Sequence, residues 1–416
     1  MQKNYFISFL IIISFFLGFA LKEDVAGGGR LDLPTFYSNF LLIKNNTFFS
    51  IPWKDFISSG FPLHHLIVAN VIFFSNDIFF LKLFTFLISI FCILIFSAIL
   101  KLKYEVKENF NPSLILISVI PLLSPYFRTS AFWGLEENTC YFFFLVSVYF
   151  YLNKKFDYYK YLAIFFSICC VLVRQSFFFY PLFLFFYYIN FSKIISKKNI
   201  MIILFYFIFS TPFFYFVYKF DGVTNVPIRL KLNLINIPIV MSFFFLYLLP
   251  FILVHLNYLI KTFIKKQWFL HLILFMVFYF FFNNKIDRIS VYNSFGGGLI
   301  YKSIFNLNIF DIEYSFKIFL FLFFSYFGFI FLIFAAKKNI FTIFFFFASL
   351  CTYVIVSFIF QEYFDPLIFF FIILFTNFIK RNDLNKFSIT IFIFYFFLLI
   401  LSFVYRYYIL PKSMLY

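Results

Sequence analysis

The sequence has few charged residues, few glycines and few cysteines. Charged residues make up 12% of the 416 positions and hydrophobic residues 64%, whereas soluble domains carry about 25% charged residues. This composition excludes an ordinary soluble globular protein. Glycine occurs only 11 times, and the run Gly296–Gly298 lacks the following Lys-Ser/Thr of a P-loop, which excludes a nucleotide site there. The 85 phenylalanines are typical of an AT-rich genome.

The few cysteines and the excess of basic over acidic residues each exclude one further class. All five cysteines fall in apolar segments without metal-ligand spacing, so we expect small buried hydrophobic side chains and no disulfides. The formal charge of +17 would suit a nucleic-acid partner. However, the Lys and Arg residues are scattered through short loops between apolar runs, which is the positive-inside pattern of membrane proteins. We therefore expect no nucleic-acid partner.

Long apolar runs, with a mean hydropathy of +0.97, predict an all-α polytopic membrane protein. We expect about 13 transmembrane helices, roughly 11–14, in a single transmembrane domain over residues 1–416. The first is interpreted as an uncleaved helix, since no small-residue cleavage site follows it. Residues 62–75 are apolar but short. The candidate spans are 5–21, 78–100, 112–127, 138–152, 161–177, 178–191, 200–218, 236–256, 268–283, 316–335, 340–359, 366–379 and 388–405.

The charge distribution predicts a cytoplasmic N-terminus. With that orientation, Lys3 and the inside loops hold 18 of the 34 basic residues and 4 of the 17 acidic residues. The outside then holds 16 basic and 13 acidic residues, so the inside is the more positive face, as the positive-inside rule requires. Thirteen acidic residues on one face indicate a site at the outer rim of the helix bundle. The nearly charge-free middles of the spans disfavour a coupled transporter.

The first outer loop, residues 22–61, is long and predicted to carry short interfacial helices. Gly27–Gly29 predicts a sharp turn above the membrane, because glycine adopts backbone conformations that other residues resist. A helix pattern begins near Pro34, which makes Asp32 a candidate N-cap and a candidate catalytic carboxylate. The adjacent His64 and His65 are either acid–base or ligand groups, or a pair of interfacial imidazoles.

The next two outer loops combine arginines with acidic residues. Arg128 lies near Glu136 and Glu137, either as an ion pair or as part of a site. Arg174 and Gln175 stand between two apolar runs almost without a loop. An arginine this close to hydrocarbon is costly unless a carboxylate or other anion pairs with it, and a phosphate suits its planar fork. Arg174 is therefore the strongest single indication of a site.

Two late loops add further candidates. The late outer loop, residues 284–315, contains Arg288, and in the last outer loop Glu362 and Asp365 frame Tyr363. The first span, the outer loop with its early acid, the Pro-led segment GFPLHHLIVA from Gly60 and the paired spans that follow resemble the GT-C superfamily of membrane glycosyltransferases, which use lipid-phosphate sugar donors. Glu137 with its continuation NTCYFF adds to this likeness.

The likeness is greatest to the family of alpha-1,2-glucosyltransferases that add the terminal glucose to the dolichol-linked oligosaccharide. Arg174-Gln175-Ser176-Phe177 resembles that family's Arg-Gln-Thr-Asn, and Glu362-Tyr363-Phe364-Asp365-Pro366 resembles its late Glu-x-Tyr-x-x-Pro. Asp32-Leu33 stands where the family has Asp-Glu. Because the second acid and the Asn are missing, only the superfamily reaction is carried over, and not the terminal-glucose specificity.

The resemblance implies transfer of a sugar from a polyprenyl-phosphate donor to a hydroxyl of a glycan or lipid-linked acceptor at the non-cytoplasmic face. Asp32 is then the expected base, with Glu137 as the second catalytic candidate. The expected substrate-binding residues are Arg174, Gln175, Arg128, Arg288, Glu362 and Tyr363. A divalent metal, Mg²⁺ or Mn²⁺, is compatible with the clustered acids, but no ligand spacing demands one. We expect the inner membrane of a bacterium, with the endoplasmic reticulum as the alternative.

Two other functions stay open from the sequence. An O-antigen polymerase or ligase would also place arginines and acids in outer loops. A lipid-linked oligosaccharide flippase would need a polar cavity through the bundle, which the apolar spans do not offer.

Overall fold

The structure is a computed structural model of the chain. It describes residues 2–58, 60–106, 111–193, 195–222, 232–261, 265–286, 298–305, 313–336, 344, 348, 350–354, 356, 359–376 and 379–409. All regular structure among these residues is helical. The chain divides into two compact units, one of Met1–Pro227 with Phe392–Tyr416 and the other of Ile228–Ile391.

The first unit is built from ten helices, and it also contains the second part of the last long helix. Its 3₁₀ turns are Trp53–Asp55, Ile120–Leu123, Gln175–Phe177 and Phe191–Lys193, and a π-helical segment covers Tyr405–Ile409. The helices are α1 (Gln2–Ala20), α2 (Gly29–Lys44), α3 (Leu63–Val71), α4 (Ile78–Tyr104), α5 (Pro112–Val119), α6 (Pro125–Trp133), α7 (Glu137–Leu152), α8 (Tyr159–Val173), α9 (Phe179–Tyr188) and α10 (Lys197–Lys219).

Helices α1 and α4 run antiparallel in the first unit. Phe19 stacks on Phe86 at 4.4 Å and reaches Phe79 at 6.4 Å, and Phe15 stacks on Phe86 at 5.2 Å. The end of α1 and the start of α4 therefore lie at the same end of the unit, which we call the first-loop end. Phenylalanine contributes large contact areas at such crossings, where lipid-facing helices gain little from the hydrophobic effect.

Helices α5 and α6 form a bent pair, with an angle of 66° between Pro112–Leu123 and Pro125–Trp133. Pro125 has no N–H to continue the helical ladder and disfavours a helical residue before it. Ser124 accordingly leaves the helix, and its hydroxyl accepts a bond from the Phe127 N–H at 3.1 Å to start α6. The break gives α6 a new direction, and the helix ends at Trp133.

Helices α7 and α8 pack antiparallel through small residues. The Ser147 hydroxyl donates to the Ala163 carbonyl, and Cys140 and Cys170 face one another, both fully buried. Small side chains allow helix backbones to approach closely in a membrane. This packing brings the start of α7 beside the end of α8, and so places Glu137 next to Arg174.

The second unit has α11 and α15 as a tightly packed pair. Gly328 lies so close to Met241 that an added Cβ would stand 1.9 Å from its carbonyl oxygen, and the Ser325 hydroxyl donates to the Pro238 carbonyl at 2.8 Å. Its 3₁₀ turns are Gln361–Tyr363 and Arg381–Asp383. The helices are α11 (Asn236–Val254), α12 (Leu256–Leu259), α13 (Lys265–Ile286), α14 (Gly298–Phe305), α15 (Tyr314–Ala336), α16 (Leu367–Phe375) and the first part of α17 (Leu384–Val404).

Seven helices of the described residues are long and apolar enough to cross a membrane, or eight if the bent pair is one span. This agrees with a polytopic membrane protein. The seven match the expected spans 5–21, 78–100, 200–218, 236–256, 268–283, 316–335 and 388–405, and the bent pair takes the place of 112–127.

The number of thirteen is not confirmed. Helices α9 and α16 have 10 and 9 residues, which at 1.5 Å per residue reach only about half of a hydrocarbon core of about 30 Å. The expected spans 138–152 and 161–177 are helices of 16 and 15 residues, and the segment 62–75 contains only the nine-residue α3. Most of the expected span 340–359 lies outside the described residues.

Candidate functional site

The start of α2 is set by a glycine turn and by Asp24. Gly27 and Gly28 have φ angles of +75° and +99°, so the sharp turn predicted for the glycine run is present. The two carboxylate oxygens of Asp24 accept the N–H groups of Gly29 and Arg30, each at 3.3 Å. These N–H groups are among the first of a helix and have no partner within it. Asp24 therefore supplies the cap.

The prediction that Asp32 is the N-cap is wrong. The helix begins at Gly29, and Asp32 lies in its first turn, with Pro34 inside the helix. Proline is tolerated in the first turns, so it marks the region of a helix start and not a single position. The helix starts earlier than predicted because Asp24, from the preceding loop, folds back to cap it. The residues around Pro34 do not reveal this cap, because Asp24 lies outside the local helix pattern.

Asp24 is itself held by the C-terminal segment. Its carboxylate lies 3.9 Å from the Arg406 guanidinium, and its N–H donates to the Tyr407 hydroxyl at 3.4 Å. Burial raises the pKa of Asp24, and the N–H donors and Arg406 oppose that increase. Sequence reasoning missed both Asp24 and Arg406, because nothing local relates residues nearly four hundred positions apart.

Asp32 is an accessible carboxylate with a raised pKa. Its side chain is exposed, yet the surrounding protein removes enough water to raise its pKa to about 6. The neighbouring Glu137 carboxylate adds to the increase, and the Arg174 guanidinium opposes it. The structure thus brings together Asp32, Glu137 and Arg174, which the sequence had placed in three separate loops. A carboxylate that titrates near neutrality can accept a proton efficiently.

Glu137 and Arg174 form a fixed pair beside Asp32. Arg174 Nη1 donates to Glu137 Oε1 at 2.7 Å, and each side chain is 13% exposed. The second oxygen of Glu137 accepts the Ser130 hydroxyl at 3.1 Å. Arg174 Nε also lies 3.6 Å from the buried Glu136 carboxylate. Two carboxylates already neutralise this arginine, so the expected phosphate clamp at Arg174 is not supported by the geometry.

Gly60 allows the chain to pass close to this pair. A Cβ on Gly60 would stand 2.4 Å from the Val173 carbonyl oxygen and 2.6 Å from Glu136 Oε1. The end of the first loop thus lies directly against the end of α8. Only glycine fits this approach without displacing backbone atoms.

Arg128 is buried in an ion pair within the protein and does not lie where a substrate-binding residue was expected. Its Nε and Nη2 donate to the two oxygens of Glu23 at 2.7 and 2.6 Å. Nη1 donates to the Leu122 carbonyl at 3.0 Å and Nη2 to the Ser14 carbonyl at 2.9 Å. The residue is 2% exposed. Its charged partner is Glu23, across the bundle, and neither of the glutamates in its own loop, so it fastens α6 to the end of α1.

The histidine pair of α3 is buried and neutral. His64 and His65 are 0% and 1% exposed, and the His64 Nδ1 lies 2.9 Å from the Thr139 hydroxyl. Phe36 and Phe56 cover His65, with ring centroids at 5.2 and 5.1 Å. Burial lowers the pKa of His64 to about 4 and that of His65 well below its usual value. Neither imidazole is accessible for acid–base chemistry with a substrate.

The other predicted residues lie elsewhere. Gln175 opens the 3₁₀ turn that follows Arg174 and is half-buried. Glu362 and Tyr363 belong to the second unit, where Tyr363 stacks on Tyr353 at 5.5 Å. Arg288 lies outside the described residues.

No group of three or more His, Cys, Asp and Glu side chains in the described part of the chain is arranged to hold a metal ion. Comparison with known proteins finds no match, whether to a protein family, to a curated protein or to a solved structure.

Proposed function

We propose that the chain is a membrane glycosyltransferase, which moves a sugar from a polyprenyl-phosphate donor to an acceptor hydroxyl at the face that carries the first loop. The observation that supports this most is the Asp32 carboxylate, which is exposed, has a pKa of about 6 and stands beside the Glu137–Arg174 pair. A general base works best when its pKa lies near the working pH.

The reaction assigned to this site is a displacement at the anomeric carbon of the sugar. The acceptor oxygen forms a bond to that carbon as the bond from the carbon to the phosphate oxygen breaks. The electron pair of the broken bond leaves with the lipid phosphate, and the proton of the acceptor hydroxyl passes to Asp32. Glu137 keeps Asp32 basic through its negative charge, and Arg174 holds Glu137 in position.

The apolar helix surface of the first unit suits a lipid-linked donor. Phe6, Phe9 and Phe16 of α1 are exposed, as are many apolar side chains of α10. A long polyprenyl chain can lie against such a surface within the bilayer, while its phosphate and sugar stay at the interface. We propose that the chain is located in a bacterial inner membrane, with the endoplasmic reticulum membrane as the alternative.

The test is sugar transfer by the purified chain in nanodiscs, with a panel of radiolabelled polyprenyl-phosphate hexoses and a mixture of lipid-linked glycan acceptors. We expect one donor to be consumed, and Asp32→Asn to slow transfer by about 10²–10⁴-fold. Asp55→Asn, in the same loop and also exposed, is the matched control and should transfer normally.

Three outcomes would contradict the proposal in different ways. Equal transfer by Asp32→Asn and the wild-type chain would remove Asp32 as the base. Joining of whole glycans without use of any monosaccharide donor would indicate a polymerase or ligase. Movement of lipid-linked glycans across the bilayer of proteoliposomes, without transfer of a sugar from any donor to any acceptor, would indicate a flippase.

A further inference from the structure

Two cationic side chains lie over the ring of Trp133, and a third basic residue is a charged neighbour of one of them. Arg30, the second residue of α2, lies over the indole ring at 5.4 Å, and Lys82, near the start of α4, at 3.9 Å. Lys22, just after α1, is a charged neighbour of Lys82, and so is Arg30. We call Lys22, Arg30 and Lys82 the basic cluster.

Trp133 is a rigid platform for the basic cluster. Its indole N–H donates to the Glu23 carbonyl at 2.7 Å, and the side chain is 6% exposed. A Cβ on Gly29 would stand 2.6 Å from two atoms of the ring, so α2 begins directly against it. The positions of the cations above the ring are therefore set by the tertiary structure. An indole face attracts cations, but it carries no net charge and leaves their mutual repulsion in place.

The basic cluster differs from the sites of the other three arginines that the structure describes in the first unit. Arg128, Arg174 and Arg406 each have a carboxylate within 4.0 Å. Among the described residues, no carboxylate oxygen lies that close to the charged nitrogens of the cluster. Asp24, which interacts electrostatically with Lys82 and Arg30, is 2% exposed and already caps α2. Three cations therefore share one buried carboxylate, and an anion from outside the chain would offset their remaining repulsion.

The position of the basic cluster at the ends of two long apolar helices indicates which kind of anion it binds. The cluster lies at the first-loop end, where α1 finishes and α4 begins, both long apolar helices. At the ends of such helices the hydrocarbon core gives way to the layer of lipid phosphates, where Lys, Arg and Trp side chains are placed. Basic pockets at this level bind anionic lipid headgroups, and the planar guanidinium of Arg30 suits phosphate oxygens.

We propose that Lys22, Arg30 and Lys82 bind the phosphate of a bilayer lipid. This lipid site is distinct from the site at Asp32. Residues two apart on a helix do not share a face. Arg30 lies over Trp133, whereas Asp32 interacts electrostatically with Glu137 and Arg174. The bound lipid holds the start of α2 and so acts next to the candidate base. The proposal does not depend on sugar transfer.

The test uses Trp133 as its reporter. The chain has three tryptophans, so a Trp53→Phe, Trp268→Phe background leaves Trp133 as the single source of tryptophan fluorescence. The protein is placed in phosphatidylcholine nanodiscs that contain increasing fractions of phosphatidylglycerol or of polyprenyl phosphate. We expect a saturable change of the Trp133 emission with at least one of the two anionic lipids. Inorganic phosphate in solution should give no change at millimolar concentration.

Charge removal should weaken this binding by an amount that the membrane electrostatics predict. Each basic residue near the surface contributes about fivefold in affinity for anionic lipid. Arg30→Gln and Lys82→Gln should therefore each weaken binding about fivefold, and the double variant about 25-fold. If either of these variants does not fold, Lys22→Gln, at an exposed loop position, replaces it as the charge-removal variant. Lys54→Gln, another exposed lysine of the first loop, is the matched control and should bind normally.

Each contrary result overturns the proposal. An equal loss in Lys54→Gln would show general attraction to an anionic surface and no site. Unchanged binding in the cluster variants, or an emission that does not saturate, would remove the basic cluster as the site. Saturation by inorganic phosphate at the same concentration would assign the cluster to a soluble phosphate and not to a lipid.

Discussion

The raised pKa of Asp32 predicts how the rate of sugar transfer depends on pH. A base is active when deprotonated, and the pKa of this carboxylate is raised from its usual value to about 6. Activity should therefore be full at high pH and lost as the pH falls through about 6. At pH 7 about nine-tenths of Asp32 is ionised and at pH 5 about one-tenth, so the rate should fall about tenfold between them.

Glu137→Gln tests the cause of the raised pKa. Its carboxylate is the largest charge contribution to the increase, second only to burial. Removal of this charge should move the midpoint of the pH profile below 6, so that a larger fraction of Asp32 stays ionised at pH 5 than in the wild-type chain. Glutamine keeps the shape of the side chain and can still accept a bond from Arg174. The variant therefore separates the charge of Glu137 from its position.

The measurement is kcat/KM across pH 4.5–8 for the wild-type chain and for Glu137→Gln, once a donor is found in the nanodisc assay. The profile of kcat/KM reports groups of the free enzyme. A control at each pH is the recovery of activity after return to pH 7.5, which separates titration from unfolding. A wild-type profile that is flat down to pH 5, or a midpoint that moves upward in Glu137→Gln, would refute the assignment of Asp32 as the titrating base.

Two further predictions concern structure. Arg128→Met should destabilise the chain by about 3–5 kcal/mol in detergent unfolding, because it leaves Glu23 without its partner. The double variant Arg128→Met, Glu23→Leu should recover part of the loss, and additive effects would contradict the pairing. Reporter fusions at Lys198 and Met414 should report opposite sides of the membrane, as an odd number of spans requires; the same side for both would contradict the predicted topology.

Local signals predicted several features that the structure contains. The glycine run predicted the turn, because positive φ angles need glycine and nothing distant. The long apolar runs predicted helices such as α4 and α10, whose length alone suits a bilayer. The expected spans at α9 and α16 are not confirmed, because these helices are shorter than their apolar runs and an apolar run does not reveal where a helix ends. α16 is the clearest case, since its nine residues are all buried within the protein.

The sequence alone determined that this protein is helical and apolar, and that acidic residues and arginines occur in the same loops. These properties depend on composition and on short-range order. The tertiary structure alone decided which charges pair. Arg128 pairs with Glu23, whereas Glu136 and Glu137, which are closer to it in the sequence, pair with Arg174. Asp24 caps α2. Charge pairing depends on distance and burial in three dimensions. Residues far apart in the chain are therefore neighbours for reasons that no local pattern contains.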